Sequence, residues 1–196
     1  MNERLTRQIA FLVEADKLKS VVRRTPLVDG SRLENSAEHS WHLVLVIMVL
    51  REYGPRDVDW IRVMEMVAVH DLVEIDAGDV SAYDVDAFAA KAVREQTAAH
   101  RIFGLLPADQ QSHFRELWDE FEAKETAEAR FATAVDRFQP MLLNCRSQGA
   151  AWNRHGVTHD RVVARNRQIA DGCHELWCYA EKMLQDIVDA GHLPKG

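Results

Sequence analysis

The sequence predicts an all-α fold of six to eight helices in one domain, and three observations carry that reading. Apolar residues recur at three- and four-residue spacing in successive stretches, the period of a helix with one buried face. Glycine and proline mostly fall between those stretches, where they end helices. No segment alternates apolar and polar residues over a useful length, so no half-buried strand is expected.

A chain of 196 residues can bury a core without disulfides, and 47% hydrophobic with 28% charged residues is ordinary for a soluble globular protein. A net charge of -7 argues against a generic nucleic-acid polymer or membrane as partner, since both call for a basic face. It leaves a phosphate substrate open, because a metal and a few local arginines can outweigh the global charge. Cys145, Cys173 and Cys178 are odd in number and lack C-x-x-C spacing, which reads as reduced, packed thiols in the cytoplasm. The N-terminus lacks a signal-peptide core, and the longest apolar run, Leu43 to Leu50, is too short to span a bilayer.

Taken in order, Leu5, Ile9, Leu12, Val13, Leu18 and Val21 define a first helix over 3–22, which stops before Thr25-Pro26. A polar connection follows over 27–34. Asn35-Ser36-Ala37-Glu38 has the pattern of a capping box opening a second helix that ends at Gly54-Pro55. A third helix starts near Asp57 to Asp59 and reaches His70-Asp71; Gly78 breaks the pattern. A fourth spans about 84–104, and Pro107 is placed to be the first residue of a fifth. The sixth opens at Thr126 and should kink at Pro140, which lacks a hydrogen-bond donor. A loop over 146–157 leads to a closing helical pair, Thr158 to Ala170 and His174 to Ala190.

One stretch concentrates the charge: His70, Asp71, Glu74, Asp76 and Asp79 follow the apolar run Val67-Ala68-Val69. Buried charges need partners, and a cation is one. A borderline divalent metal takes imidazole and carboxylate ligands from converging elements. His39 in the second helix, His70 and Asp71 at the end of the third, and Asp136 within the apolar series Phe131, Ala132, Ala134, Val135 and Phe138 of the sixth supply such a set. Four ligands from three helices leave positions open for water and substrate. Each residue taken singly is more often structural than functional; the combination carries the weight.

That combination resembles the HD-domain metal-dependent phosphohydrolases, whose signature is a histidine, a later His-Asp pair and a final aspartate. Within them the chain is most similar to the 5′-deoxynucleotidase-like branch. Glu34 to Ser40, His70 to Glu74 followed by Gly78-Asp79, and Glu125 to Phe131 leading to Val135-Asp136-Arg137 match its motifs in order. The resemblance implies residues 1–196 as a single HD domain, with the metal-site core at about 24–144 and the helical pair at about 158–190. It implies one divalent ion (Mn, Co, Fe or Zn) on His39, His70, Asp71 and Asp136. It also implies Glu74 as proton handler, Asp79 as reader of the nucleotide sugar, and Arg24 as holder of the substrate phosphate. The next position, a tryptophan in deoxyribose-selective members, is here Thr25, a departure from that pattern.

The implied activity is hydrolysis of a nucleoside 5′-monophosphate to nucleoside and phosphate. A di-iron HD oxygenase acting on a small organic substrate is the alternative enzyme, with His100 or His113 among its ligands. A non-catalytic metal-stabilised binding module is a third reading. His42, which shares a face with His39, is not a ligand in the branch, and Trp118, Phe121 and Trp152 read as core. Trp177, Tyr179, Met183, Leu184, Ile187 and Val188 give the closing pair more apolar surface than one groove needs; this and the branch resemblance point to a homodimer.

Overall fold

The computed structural model describes residues 2–79 and 88–196. Asn2 caps α1 (Glu3–Ala15) by accepting from the Leu5 amide, and a 3-10 turn, Asp16–Ser20, follows. The first predicted helix therefore ends early. Its last residue, Val22, opens β1 (Val22–Pro26), which pairs antiparallel with β2 (Leu33–Asn35) in a hairpin where a polar connection was expected. The register runs from Val22 opposite Asn35 to Pro26 opposite Leu33 with an irregularity between, too short and uneven to leave a period-two signature.

The capping box at the start of α2 (Ser36–Leu50) is present in both halves. Asn35 accepts from the Glu38 amide, and the Glu38 carboxylate accepts from the Asn35 amide. Asp59 caps α3 (Trp60–Val69). The chain then tightens into a 3-10 turn, His70–Val73, and a single turn of helix, α4 (Glu74–Ala77), before Gly78 at φ 74°. A positive φ is easy for glycine and costly for a residue with a Cβ. The fourth predicted helix appears as α5 (Phe88–Phe103); its expected first residues lie outside the described ones. Pro107 is the cap of α6 (Ala108–Ala123) rather than its first helical residue.

The centre of the molecule is α7 (Ala127–Arg146), which runs through Pro140 without interruption. It is buried on several sides, as Ala129, Phe131, Ala132, Ala134, Val135, Phe138 and Met141 show, which is the pattern of a helix surrounded by others. Helices α2, α3 and α6 pack on it, as do the closing elements α10 (Ile169–Gly172) and α11 (His174–Asp189). Between them lie α8 (Ala150–Arg154), inside the expected loop, and α9 (His159–Asn166). A Cβ at Gly172 would overlap the Arg130 carbonyl, so only glycine lets α10 approach α7 this closely.

The core brings together Leu43, Ile47, Val63, Met66, Phe103, Trp118, Phe131 and Val135, with Phe121 and Trp152 also buried as expected. The closing pair departs from expectation. Trp177, Met183, Leu184 and Ile187 are core residues, and Tyr179 is the exposed large apolar side chain there. Exposed apolar side chains gather instead on α1 and α2. Among the described residues, no helix is long and apolar enough to cross a membrane.

Candidate metal centre

The capping box fixes the first turn of α2, and with it His39, whose side chain is wholly buried against α7. Its Nε2 lies 2.9 Å from Asp136 Oδ1, and its Nδ1 lies 3.0 Å from Gln139 Oε1. Gln139 sits three residues past Asp136 and so shares its helical face. Because Gln139 Nε2 donates to Glu34 Oε1 at 2.7 Å, its Oε1 is the acceptor for the His39 Nδ1 proton. That leaves the lone pair of His39 Nε2 directed at a carboxylate oxygen.

His70 repeats the arrangement from the opposite side. Its Nδ1 donates to the Val67 carbonyl at 2.9 Å. Its Nε2 then faces Asp71 Oδ1 at 3.0 Å and Asp136 Oδ1 at 3.6 Å, buried and in no hydrogen bond. Lone pairs facing lone pairs in a buried site require a cation, a proton or a metal, between them. Hydrogen bonds that hold Nδ1 and leave Nε2 free are how proteins present histidine to metals. The ligand atoms of His39, His70 and Asp136 lie within 4.8 Å of one another, and the donor set fits a borderline divalent metal.

Asp71, the fourth residue of the expected set, stands beside this cluster. Its Oδ1 faces His70, while its Oδ2 accepts from an Arg23 Nη1 at 2.7 Å. The electrostatics follow from this crowding. Burial pushes the Asp71 carboxyl up, but His70 and Arg23 outweigh it and hold it down to about 2. Burial likewise opposes ionisation of Asp136, and the two histidines facing it more than offset that. Burial lowers both imidazoles, and Arg23 lowers His39 further. For His39, Asp136 and Glu34 overturn that; for His70, Asp71 and Asp136 do.

Glu74, at the start of α4, is buried with its Oε2 accepting from Ser36 Oγ at 2.7 Å. Burial and then the charge of Asp71 push its carboxyl up to about 8, against the pull of Arg23 and Ser36. A folded-state value above the ordinary 4.5 means that the folded protein binds the extra proton between these limits. The stability this proton contributes is complete below about pH 4.5 and is lost as pH rises through about 8. Chelator-treated Glu74→Gln should therefore melt above chelator-treated wild type by a margin that widens from pH 5 to pH 8; a margin that shrinks would contradict this.

Asp79 is half-buried, and burial raises its carboxyl. Arg24 is exposed on β1, close enough to Asp79 for its charge to pull that carboxyl down. Adjacent strand residues point to opposite faces. It is Arg23 that turns into the cluster, with Nε 3.6 Å from Glu34 Oε2. Motif reading passed over Arg23 and Gln139 and gave no role to Glu34 and Ser36, although both lie in the first motif. For Gln139 the available signal was its three-residue offset from Asp136. Asp76 binds elsewhere: Arg101 forks onto it and reaches Glu14, tying α4 to α5 and α1.

The histidines a second metal would need lie apart from the cluster. His113 faces Glu65 at 3.3 Å with both side chains 44% exposed, and His100 is exposed on α5. His42 Nδ1 lies 3.0 Å from Gln139 Nε2, from which it accepts. Among the described residues, the trio His39, His70 and Asp136 is the group able to hold a metal.

The family whose pattern matches residues 15–177 is described as "HD domain". The chain is 30% identical over 135 residues to human "5′-deoxynucleotidase HDDC2", covering 68% of this chain and 65% of that protein. It is 26% identical over 136 residues to "5′-deoxynucleotidase hdd1" of Schizosaccharomyces pombe, covering 67% of each. Against the Bos taurus relative it spans 60% of that protein's length, so the chain matches somewhat under two thirds of these animal relatives. A crystal structure from Magnetospirillum magnetotacticum MS-1, described as a predicted metal-dependent phosphohydrolase, superposes with a TM-score of 0.93. It shares 46% identity over 97% of this chain and 96% of that one. A conserved hypothetical protein from Pyrococcus furiosus, 18% identical with a TM-score of 0.58 over 92% of this chain and 99% of that one, shares the fold.

Proposed function

The chain belongs to the HD domain family, and on that premise we propose that it is a metal-dependent phosphohydrolase acting on nucleoside 5′-monophosphates, releasing nucleoside and phosphate. The observation that carries the proposal is the buried convergence of two imidazole Nε2 atoms and a carboxylate oxygen, each imidazole already committed through Nδ1. The names of the relatives and of the structural neighbour support the reaction class and the nucleotide substrate.

His39, His70 and Asp136, with Asp71 as fourth ligand, would hold the divalent ion (Mn, Co, Fe or Zn). Such an ion lowers the pKa of bound water and polarises the phosphoryl oxygens. Glu74 is the proton handler: as carboxylate it accepts a proton from the attacking water, and as acid it delivers one to the leaving 5′-oxygen. Asp79 accepts from a sugar hydroxyl, and Arg24, exposed near it, balances phosphate charge with its planar fork. Phosphate release from a panel of ribo- and deoxyribonucleoside monophosphates, with Mn, Co, Fe and Zn added in turn, tests the reading. Turnover of at least one nucleotide that ceases with chelator is the expected result. No turnover by metal-loaded protein would refute it.

We also propose a cytoplasmic homodimer. The unpaired cysteines fit a reducing compartment. Leu5, Ile9, Leu12 and Val13 on α1, and Trp41, Leu45, Met48 and Val49 on α2, are exposed apolar stripes with the same helical spacing. Helix α2 is thus apolar on its buried face and on an exposed one, a pattern that calls for a partner. Sedimentation should give a dimer for wild type and a monomer for Trp41→Glu or Leu12→Glu; a monomeric wild type would overturn this.

A further inference from the structure

We propose that Arg23 is a built-in counter-charge for the metal site, holding Asp71 as a one-oxygen ligand and keeping the carboxylate cluster folded when no metal is bound. The inference rests on the metal site proposed above. Arg23 enters from β1 with its side chain 13% exposed, and its Nη1 donates to Asp71 Oδ2 at 2.7 Å. That bond divides the carboxylate: Oδ2 is committed to the arginine, and Oδ1 is left 3.0 Å from His70 Nε2, toward the ligand cluster. On its other side, Arg23 Nε lies 3.6 Å from Glu34 Oε2, and both atoms are buried outside any hydrogen bond. The charges of Asp71, Glu74, Asp136 and Asp79 all act on this one guanidinium.

Several acids gathered in a buried site repel one another, and an uncompensated buried charge is strongly destabilising. Arg23 supplies a cation that cannot dissociate and cannot lose its proton. It therefore sits in the same negative field that a divalent ion would occupy. Two consequences follow from that competition. Without Arg23 the metal-free protein is less stable, and a bound metal gains more by filling the field alone. A lysine would keep the charge but lose the fork that fixes Asp71, so its effect falls between.

The test compares chelator-stripped wild type, Arg23→Lys and Arg23→Gln by thermal melting with and without Mn2+, and by calorimetric titration with Mn2+. Metal-free Arg23→Gln is expected to melt several degrees below wild type. Its Mn2+-induced rise in Tm should be roughly double that of wild type, with about tenfold tighter Mn2+ binding. Arg23→Lys should lie between the two. Folding of Arg23→Gln only in the presence of Mn2+ would also support the inference. Should Arg23→Gln fold under neither condition, Arg23→Lys decides: a larger Mn2+ effect than wild type supports the inference. An Mn2+ effect in the variants no larger than in wild type overturns the counter-charge role and leaves the metal site standing. Absence of any Mn2+ effect in wild type overturns the metal site, and the inference with it.

Discussion

Asp136→Asn is expected to abolish stoichiometric metal binding and to lower kcat/KM by about 10³-fold or more. Asp136 Oδ1 is the oxygen that His39 Nε2 and His70 Nε2 share, at 2.9 and 3.6 Å. Asparagine keeps the shape but removes the charge that draws a cation between the two imidazoles. Metal assistance is worth several kcal/mol of transition-state stabilisation, and each 1.36 kcal/mol is tenfold in rate, which sets the scale. Elemental analysis of the purified variant and the loss of chelator sensitivity in its melting curve check the binding half; nucleotide turnover checks the other. Wild-type turnover in Asp136→Asn would remove this residue from the ligand set.

The second large effect falls on Glu74. Glu74→Gln should lose about 10²–10⁴-fold in kcat, the usual worth of a general acid–base, while KM and metal content stay close to wild type. The isosteric amide still bonds to Ser36 but cannot take up or release a proton. The pH–rate profile should lose the limb that Glu74 contributes. Ser36→Ala removes one hydrogen bond and keeps the carboxyl, so it should cost far less. An unchanged kcat in Glu74→Gln would pass the proton role to another group, with Asp79 next to be examined.

Much of the site could be read before any coordinates, because its parts are local. The capping box that orients His39 occupies four consecutive residues and needs no tertiary partner to be recognised. His70, Asp71 and Glu74 lie within a single turn-and-a-half of chain, and Asp136 stands out as a charge in an apolar series. Their meeting in space was an inference from a family pattern, and the structure brings three of the four expected ligands into one cluster with Asp71 at its side.

Other parts were hidden for equally physical reasons. The hairpin of β1 and β2 joins two short segments across a turn with an irregular register, so neither strand is long enough to show alternation. For want of that hairpin, no local pattern marked Arg23 as the inward-facing neighbour of Arg24; only the face of a strand decides which arginine turns inward. Apolar residues likewise carry no label saying what covers them. Trp177, Leu184 and Ile187 looked available to a partner subunit and are core, because α10 and α11 fold back on α7. The stripes that remain exposed belong to α1 and α2.

By itself the sequence determined the helical class, the capping box of α2 and the order of the candidate metal ligands along the chain, since periodicity, capping and motif spacing act over a few residues. Only the tertiary structure decided which groups meet: Gln139 and Val67 committing each Nδ1, Arg23 dividing the oxygens of Asp71, and burial lifting Glu74 to about 8. Those outcomes depend on distances between elements far apart in the chain and on exclusion of water. Neither is written in any short stretch of residues.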